Sequence, residues 1–256
     1  MSPKNIAKLT EKKHRIETGL FIVEGDKNIT ELLSSTLTIK TLLVTKPFFQ
    51  SIETAITQYC KMQHIDIEVQ VTDEKTLIRS GTLLTNNAGI AVVQQKNETT
   101  LEKILTRAET TIVVVLDDVR DPGNMGTIIR TADWYGVTNL IASLETVDFY
   151  NAKTISASMG SFIRMNVLYI DLSIILTHAK ERLIPVIVAD LQGTSTHSGK
   201  LPKNGFLLMG SESHGVSMHS QENATHKVMI PKFGQAESLN VSVATGILLD
   251  TIRRGF

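Results

Sequence analysis

Four consecutive apolar residues, Val113 to Leu116, run straight into the acidic, proline- and glycine-bearing stretch DDVRDPGNMG. An unbroken apolar run of this kind is the pattern of a parallel strand buried on both faces; a sheet with one wet face would alternate. Parallel strands need long crossover connections, usually helices, so one such strand predicts an α/β alternation around it. From Thr111 the sequence supplies it. A loop to Gly126 leads to a helix to Tyr135, a strand near Leu140-Ile141 and a helix over Ala152–Met159. A strand at Val167-Leu168 and a helix over Ile174–Arg182 follow, then strands at Val186–Ala189 and Phe206–Met209, with a glycine- and serine-bearing loop between them. A short helical turn, a strand at Val228–Ile230 and an apolar helix close the chain.

The first hundred residues repeat the alternation with different material. Residues 2–17 read as a helix stopped by Gly19, and Phe21–Val23 as a short strand followed by a helix to about Leu33. Strands at Ile39–Val44, Ile67–Val71 and Gly89–Val93 are separated by helices reaching Cys60 and covering Asp73–Ile78. The polar stretch Gln94–Thr100 has no periodicity and reads as a linker, with Leu101–Ala108 a connecting helix. The expected organisation is one domain over residues 1–95, a linker over 96–110 and a second domain over 111–256. A single cysteine, Cys60, excludes an internal disulfide framework and fits a reducing cytoplasm. No apolar run is long enough to cross a bilayer, which predicts a cytoplasmic protein with no membrane partner.

Basic and acidic residues balance at 26 each, which does not favour a nucleic-acid binder. Their distribution does. In the first sixteen residues Lys4, Lys8, Lys12, Lys13 and Arg15 face Glu11 alone. Either this is a solvated helix face or Lys12, Lys13 and Arg15 meet a polyanion.

Three stretches carry chemistry. In Leu116–Val137 a buried strand ends, Pro122-Gly123 suits a type II turn, and Asn124 and Gly126 lead into a helix with Arg130 on an otherwise apolar surface. Ligands of open α/β sheets gather outside the carboxyl ends of strands, where this loop falls. Arg130 needs an anion there, or a salt bridge to Asp117, Asp118 or Asp121. In Phe206–Ser217 a buried strand enters a loop with Gly210 and Gly215 framing Glu212. In Ile230–Leu249 a polar loop feeds an apolar helix that Ser238 can cap. Other chemistries lack their parts. Ser211–Gly215 nearly spells a hydrolase nucleophile elbow around Ser213, but its first glycine is a serine. No GxGxxG or GxxxxGK[ST] occurs. His214, His219 and His226 lack zinc-ligand spacing, so no metal site is expected.

Taken together, the stretches resemble the SpoU/TrmH RNA 2′-O-ribose methyltransferases of the SPOUT superfamily. Asp121, Pro122, Gly123, Asn124, Gly126, Arg130, Thr131 and Ala132 match the family's first motif. Gly210, Glu212 and Gly215 match the second; Ile230, Pro231, Gly234, Ser238, Leu239, Asn240, Val241, Ser242 and Ala244 match the third. Lys232 stands where the family usually has methionine. RIETGLFIVEG, residues 15–25, is similar to the start of the family's N-terminal substrate-binding domain.

The resemblance implies a small α/β/α RNA-binding domain followed by a SPOUT (α/β knot) methyltransferase domain, with a parallel sheet and a deep trefoil knot near residues 205–250. It implies S-adenosyl-L-methionine as cofactor, held around Met209, Gly210, Gly215, Ile230, Pro231 and Leu239. It further implies a homodimer, and a ribose 2′-hydroxyl of ribosomal or transfer RNA surrounded by Asn124, Arg130, Glu212, Ser238 and Asn240. The alternatives are a base-methylating SPOUT enzyme and a non-catalytic RNA-binding protein of the same fold. A decayed enzyme would be expected to lose some of Asn124, Arg130, Glu212 and Asn240, and all four are present.

Overall fold

The computed structural model describes residues 1–97, 99–211 and 214–255. They form two compact units. The first comprises residues 1–97 together with 148–163, the second residues 98–147 and 164–256.

In the first unit, α1 (Pro3–Lys8) and α2 (Lys12–Thr18) precede β1 (Leu20–Glu24), α3 (Asp26–Leu32), β2 (Ile39–Thr45), α4 (Lys46–Gln63), β3 (Glu68–Thr72), α5 (Glu74–Ser80) and β4 (Gly89–Gln94). The sheet order is β1-β4-β2-β3, with β4 antiparallel to both neighbours and β2 parallel to β3. The single helix expected over residues 2–17 is two, for a specific reason. The Arg15 guanidinium donates hydrogen bonds to the carbonyls of Leu9 and Thr10 at 2.9 and 2.8 Å, which a continuous helix would need for its own ladder. Gly19 ends α2 in the left-handed conformation, φ 65°, as a glycine C-cap does.

Residues 148–163 fold into this same unit. Phe21 of β1 packs on Tyr150 and edge-on to Phe162, with ring centroids 4.6 and 6.0 Å apart. Ala152 joins Ile22, Leu43 and Ile90 in one apolar cluster. Arg15, only 2% exposed, donates through Nε to Asp148 at 2.8 Å.

The second unit contains α6 (Leu101–Ala108), β5 (Ile112–Asp117), α7 (Pro122–Trp134), β6 (Asn139–Ala142), β7 (Asn166–Tyr169), α9 (Leu172–Glu181), β8 (Val186–Ser195), β9 (Gly205–Gly210), α10 (Met218–Glu222), β10 (His226–Met229) and α11 (Val241–Arg254); α8 (Ala152–Ala157) belongs to the first unit. Its sheet is parallel throughout, in the order β10-β8-β9-β5-β6-β7. All six residues of β5 are buried, as the apolar run requires. Val113, Val115, Phe206 and Leu208 pack against Ile104, Leu105, Ile175 and Leu176 of α6 and α9. Helices α7 and α11 pack on each other, and α11 also contacts β9. Between β8 and β10 the register jumps from Val188–Lys227 to Thr194–Val228, so residues 189–193 have no register partner on β10. The strand at Val186 therefore extends beyond Ala189 and re-pairs after the shift.

Candidate functional site at the strand ends

The site is positioned by register. Leu116 pairs with Met209 and Asp117 with Gly210, so the loops that leave β5 and β9 start side by side. The first does not turn where Pro122-Gly123 suggested. Asp121 is an N-cap, its Oδ1 accepting from the Asn124 N–H at 2.8 Å, and Pro122 occupies the first helical position, where a missing N–H costs nothing. Asn124 is thereby fixed in the first turn of α7. Met125, Ile128, Ile129 and Ala132 anchor that helix in the core, and Arg130 lies on its exposed side.

None of the carboxylates considered as partners for Arg130 pairs with it. Asp118 holds Arg120 at 2.6 Å, Asp121 caps α7, and Asp117 accepts from the Ser217 N–H and the Ser220 hydroxyl at 2.9 and 3.1 Å. Among the described residues Arg130 has no ion-pair or hydrogen-bond partner. It is a free cation on the exposed side of α7. Asp117 was not singled out by sequence reasoning as a site residue, yet it ties the start of α10 to the end of β5.

The loop after β9 closes on itself. Ser211 and Gly215 exchange backbone hydrogen bonds of 3.1 and 2.9 Å. Gly210 admits this closure, since a Cβ there would lie 2.0 Å from the Gly215 carbonyl carbon. Gly215 takes a left-handed φ of 67°. Glu212 and Ser213 lie outside the described residues.

The third loop delivers Asn240. Its Oδ1 accepts from the backbone N–H groups of Ser242 and Val243 at 2.9 and 3.4 Å, which makes Asn240 the N-cap of α11. Ser238, expected to cap, is exposed in the loop without a hydrogen-bond partner among the described residues. The chain becomes helical two residues too late for Ser238, and asparagine caps as well as serine does. The other end of the Asn240 amide reaches across to the first motif: Nδ2 donates to Asn124 Oδ1 at 2.9 Å. Two of the three motifs are thus joined side chain to side chain.

A cleft of about 1080 Å³ opens beside this helix, lined by Ile230, Pro231, Phe233, His197, Tyr135 and Asp250 among others. The Tyr135 hydroxyl donates to Asp250 at 3.3 Å. Burial first, then the Asp250 charge, pushes its phenol above the ordinary value. Ile230 and Pro231 line the cleft, while Met209, Gly210, Gly215 and Leu239 do not. Met209 is buried in β9 and Leu239 is 48% exposed.

A model described as the SpoU rRNA Methylase family matches residues 111–250. The chain belongs to the SpoU rRNA methylase family. A second model, the MRM3-like substrate binding domain, matches residues 3–79. A 23S rRNA (guanosine(2553)-2′-O)-methyltransferase of Bacillus subtilis is 32% identical over 98% of this chain and 95% of its own length. Among solved structures, an RNA methyltransferase of the TrmH family from Porphyromonas gingivalis superposes with a TM-score of 0.84 at 30% identity, covering 98% of this chain and 96% of that one. An AdoMet-bound rRNA methyltransferase from Sinorhizobium meliloti gives 0.83 at 32% identity, covering 98% and 94%.

Within the SpoU framework the proposed RNA contacts divide. Lys12 and Lys13 are exposed on α2, with Lys13 only 3.9 Å from Glu17. Arg15 is not a surface contact at all: its guanidinium is buried on Asp148 and two carbonyls. The basic run that suggested RNA contains one residue holding the domain together.

Proposed function

We propose that this chain transfers a methyl group from S-adenosyl-L-methionine to a ribose 2′-hydroxyl of ribosomal RNA. The observation that carries the proposal is the Asn124–Asn240 hydrogen bond, which draws the first and third SpoU motifs to one place, with an unpaired Arg130 further along the same helix α7. The cofactor supplies an electrophilic methyl on sulfur. The residues fit such a ligand. Among the described residues, the backbone groups of Gly234–Leu239 make no hydrogen bonds within the chain, leaving donors and acceptors for a purine edge and a carboxylate. Ile230, Pro231 and Leu239 would hold it, with Met209, Gly210 and Gly215 forming the neighbouring strand end.

The chain's own part is positioning, which alone can supply several kcal/mol of rate. The amide pair fixes Asn124 and Asn240 against each other, and Ser238 lies two residues before Asn240 to meet the sugar. Arg130 does not act as the base, because a guanidinium holds its proton near neutrality. It grips the adjacent phosphate and offsets the negative charge developing on the 2′-oxygen, whose proton leaves to phosphate or water. Glu212 completes the group by motif.

Lys12 and Lys13 contribute to RNA affinity from the first unit. A trefoil knot in the last third of the chain, a homodimer and a cytoplasmic location complete the proposal. The exposed Trp134 and Val243 on α7 and α11 support the dimer. No helix among the described residues is long and apolar enough to cross a membrane. Calorimetry on purified, ligand-free protein tests the cofactor: stoichiometric uptake of S-adenosyl-L-methionine supports the assignment, and no heat of binding overturns it.

A further inference from the structure

One aromatic arrangement has no packing role. Phe233 is 89% exposed, although it is the largest apolar side chain of its loop. Its ring lies 6.2 Å from that of His197 at an interplanar angle of 30°, a near-parallel pair joining the third motif loop to the segment after β8. Both rings line the cleft. A phenylalanine this open contributes nothing to the core, and leaving it in water is unfavourable by roughly 25 cal/mol per Å² of apolar surface.

Resting on the RNA methyltransferase reading, we infer that Phe233, backed by His197, is a stacking platform for an unpaired nucleobase of the RNA substrate. Single-stranded RNA is recognised by stacking splayed bases on aromatic faces, and every base offers a π-face. The surroundings suit a nucleotide. Thr196, Ser198 and Thr251 line the cleft, the Ser198 and Thr251 hydroxyls donating to the Ser195 and Ile247 carbonyls, and Lys200 and Arg254 supply cations for a phosphate, Arg254 also contacting Asp250. Lys232 precedes the ring in the same loop. Lysine at that position, in place of methionine, adds positive charge next to the platform. A protein partner fits this lining less well, because the core of a subunit interface is depleted in charge. The loop also leads directly to Ser238 and Asn240, so a base held on Phe233 would fix the strand beside the proposed ribose site. Phe233 and His197 are positioning residues, and neither takes part in the chemistry.

The test uses the full chain, S-adenosyl-L-methionine, and protein-free large-subunit RNA from a strain lacking the gene. Phe233→Ala is expected to weaken RNA binding, read directly by filter retention, between about 5-fold and 100-fold. The KM for RNA should rise in parallel while kcat and calorimetric cofactor affinity stay within twofold. Phe233→Trp should restore RNA affinity, and its indole emission, read in a Trp134→Phe background, should be quenched when RNA is added. Equal RNA binding by Phe233→Ala and wild type would overturn the inference. So would a loss confined to cofactor affinity, or a change in particle mass by light scattering, which would reassign the ring to the cofactor's adenine or to a second copy of the chain. Failure of the methyltransferase reading shows separately, as absence of methyl incorporation by the wild type.

Discussion

Asn240 holds two roles in one side chain, and substitutions can separate them. Its Oδ1 caps α11 through the Ser242 and Val243 N–H groups and also accepts from the Ser242 hydroxyl, while Nδ2 donates to Asn124. Asn240→Ala removes both. The cap contributes about 1 kcal/mol. The exposed amide–amide bond adds about 0.5–1 kcal/mol, at the lower end of the range for hydrogen bonds. The sum lowers Tm by roughly 3–8 °C for a chain of this size. Asn240→Asp keeps the cap oxygen and places a carboxylate at a helix N-terminus, which is favourable by a few tenths of a kcal/mol or more. It loses the donor toward Asn124, so its Tm should stay within about 2 °C of wild type. Its turnover should fall tenfold or more, the kinetic equivalent of about 1.4 kcal/mol in positioning. Calorimetric melting and initial-rate methylation on the same preparations give both readings. An Ala variant with unchanged Tm would refute the capping argument, and an Asp variant with full turnover would refute the positioning role of the amide pair.

Asp148→Ala should destabilise the first unit by about 3 kcal/mol or more in urea unfolding, because it leaves the buried Arg15 charge uncompensated. Lys12→Glu with Lys13→Glu should leave stability unchanged and reduce RNA affinity, in a manner that fades as salt is raised; unchanged affinity at low salt would remove α2 from the RNA face. Tyr59, 1% exposed, accepts from the Ile39 N–H and donates to the Leu37 carbonyl, and burial, which outweighs the Ile39 bond, pushes its hydroxyl above the ordinary value. A raised folded pKa means this contribution is whole below about pH 10 and is lost as pH climbs past it. Alkaline melting should therefore steepen in wild type and flatten in Tyr59→Phe. Arg130→Lys should lose turnover at least tenfold, since an ammonium cannot reproduce the two-pronged grip of a guanidinium; near-wild-type turnover would refute that role.

What could be read in the sequence was what local chemistry decides. The run Val113–Leu116 announced a central parallel strand, and β5 is that strand, buried along its whole length. Asp121-Pro122 carried a legible N-cap and first-turn proline, yet Pro-Gly also spells a turn, and only the packing of Met125 and Ile128 into the core settles the helix. Ser238 and Asn240 are both good caps, and the choice depends on where the apolar face of α11 docks. Arg15 looked like its lysine neighbours because its partner, Asp148, is 133 residues away. The same distance hid the membership of residues 148–163 in the first unit, although Phe149, Tyr150 and Phe162 are the kind of aromatic cluster that seeks a core. One practical consequence is that removing residues 1–97 would strip that cluster of its packing, so point substitutions are the sounder test of RNA binding.

The most direct measurement is nucleoside mass spectrometry of large-subunit RNA from a strain lacking the gene, before and after incubation with the purified chain and methyl-labelled S-adenosyl-L-methionine. Appearance of one labelled nucleoside carrying its methyl on the ribose is the predicted result. Label on a base nitrogen, or none on any nucleoside, would contradict the account.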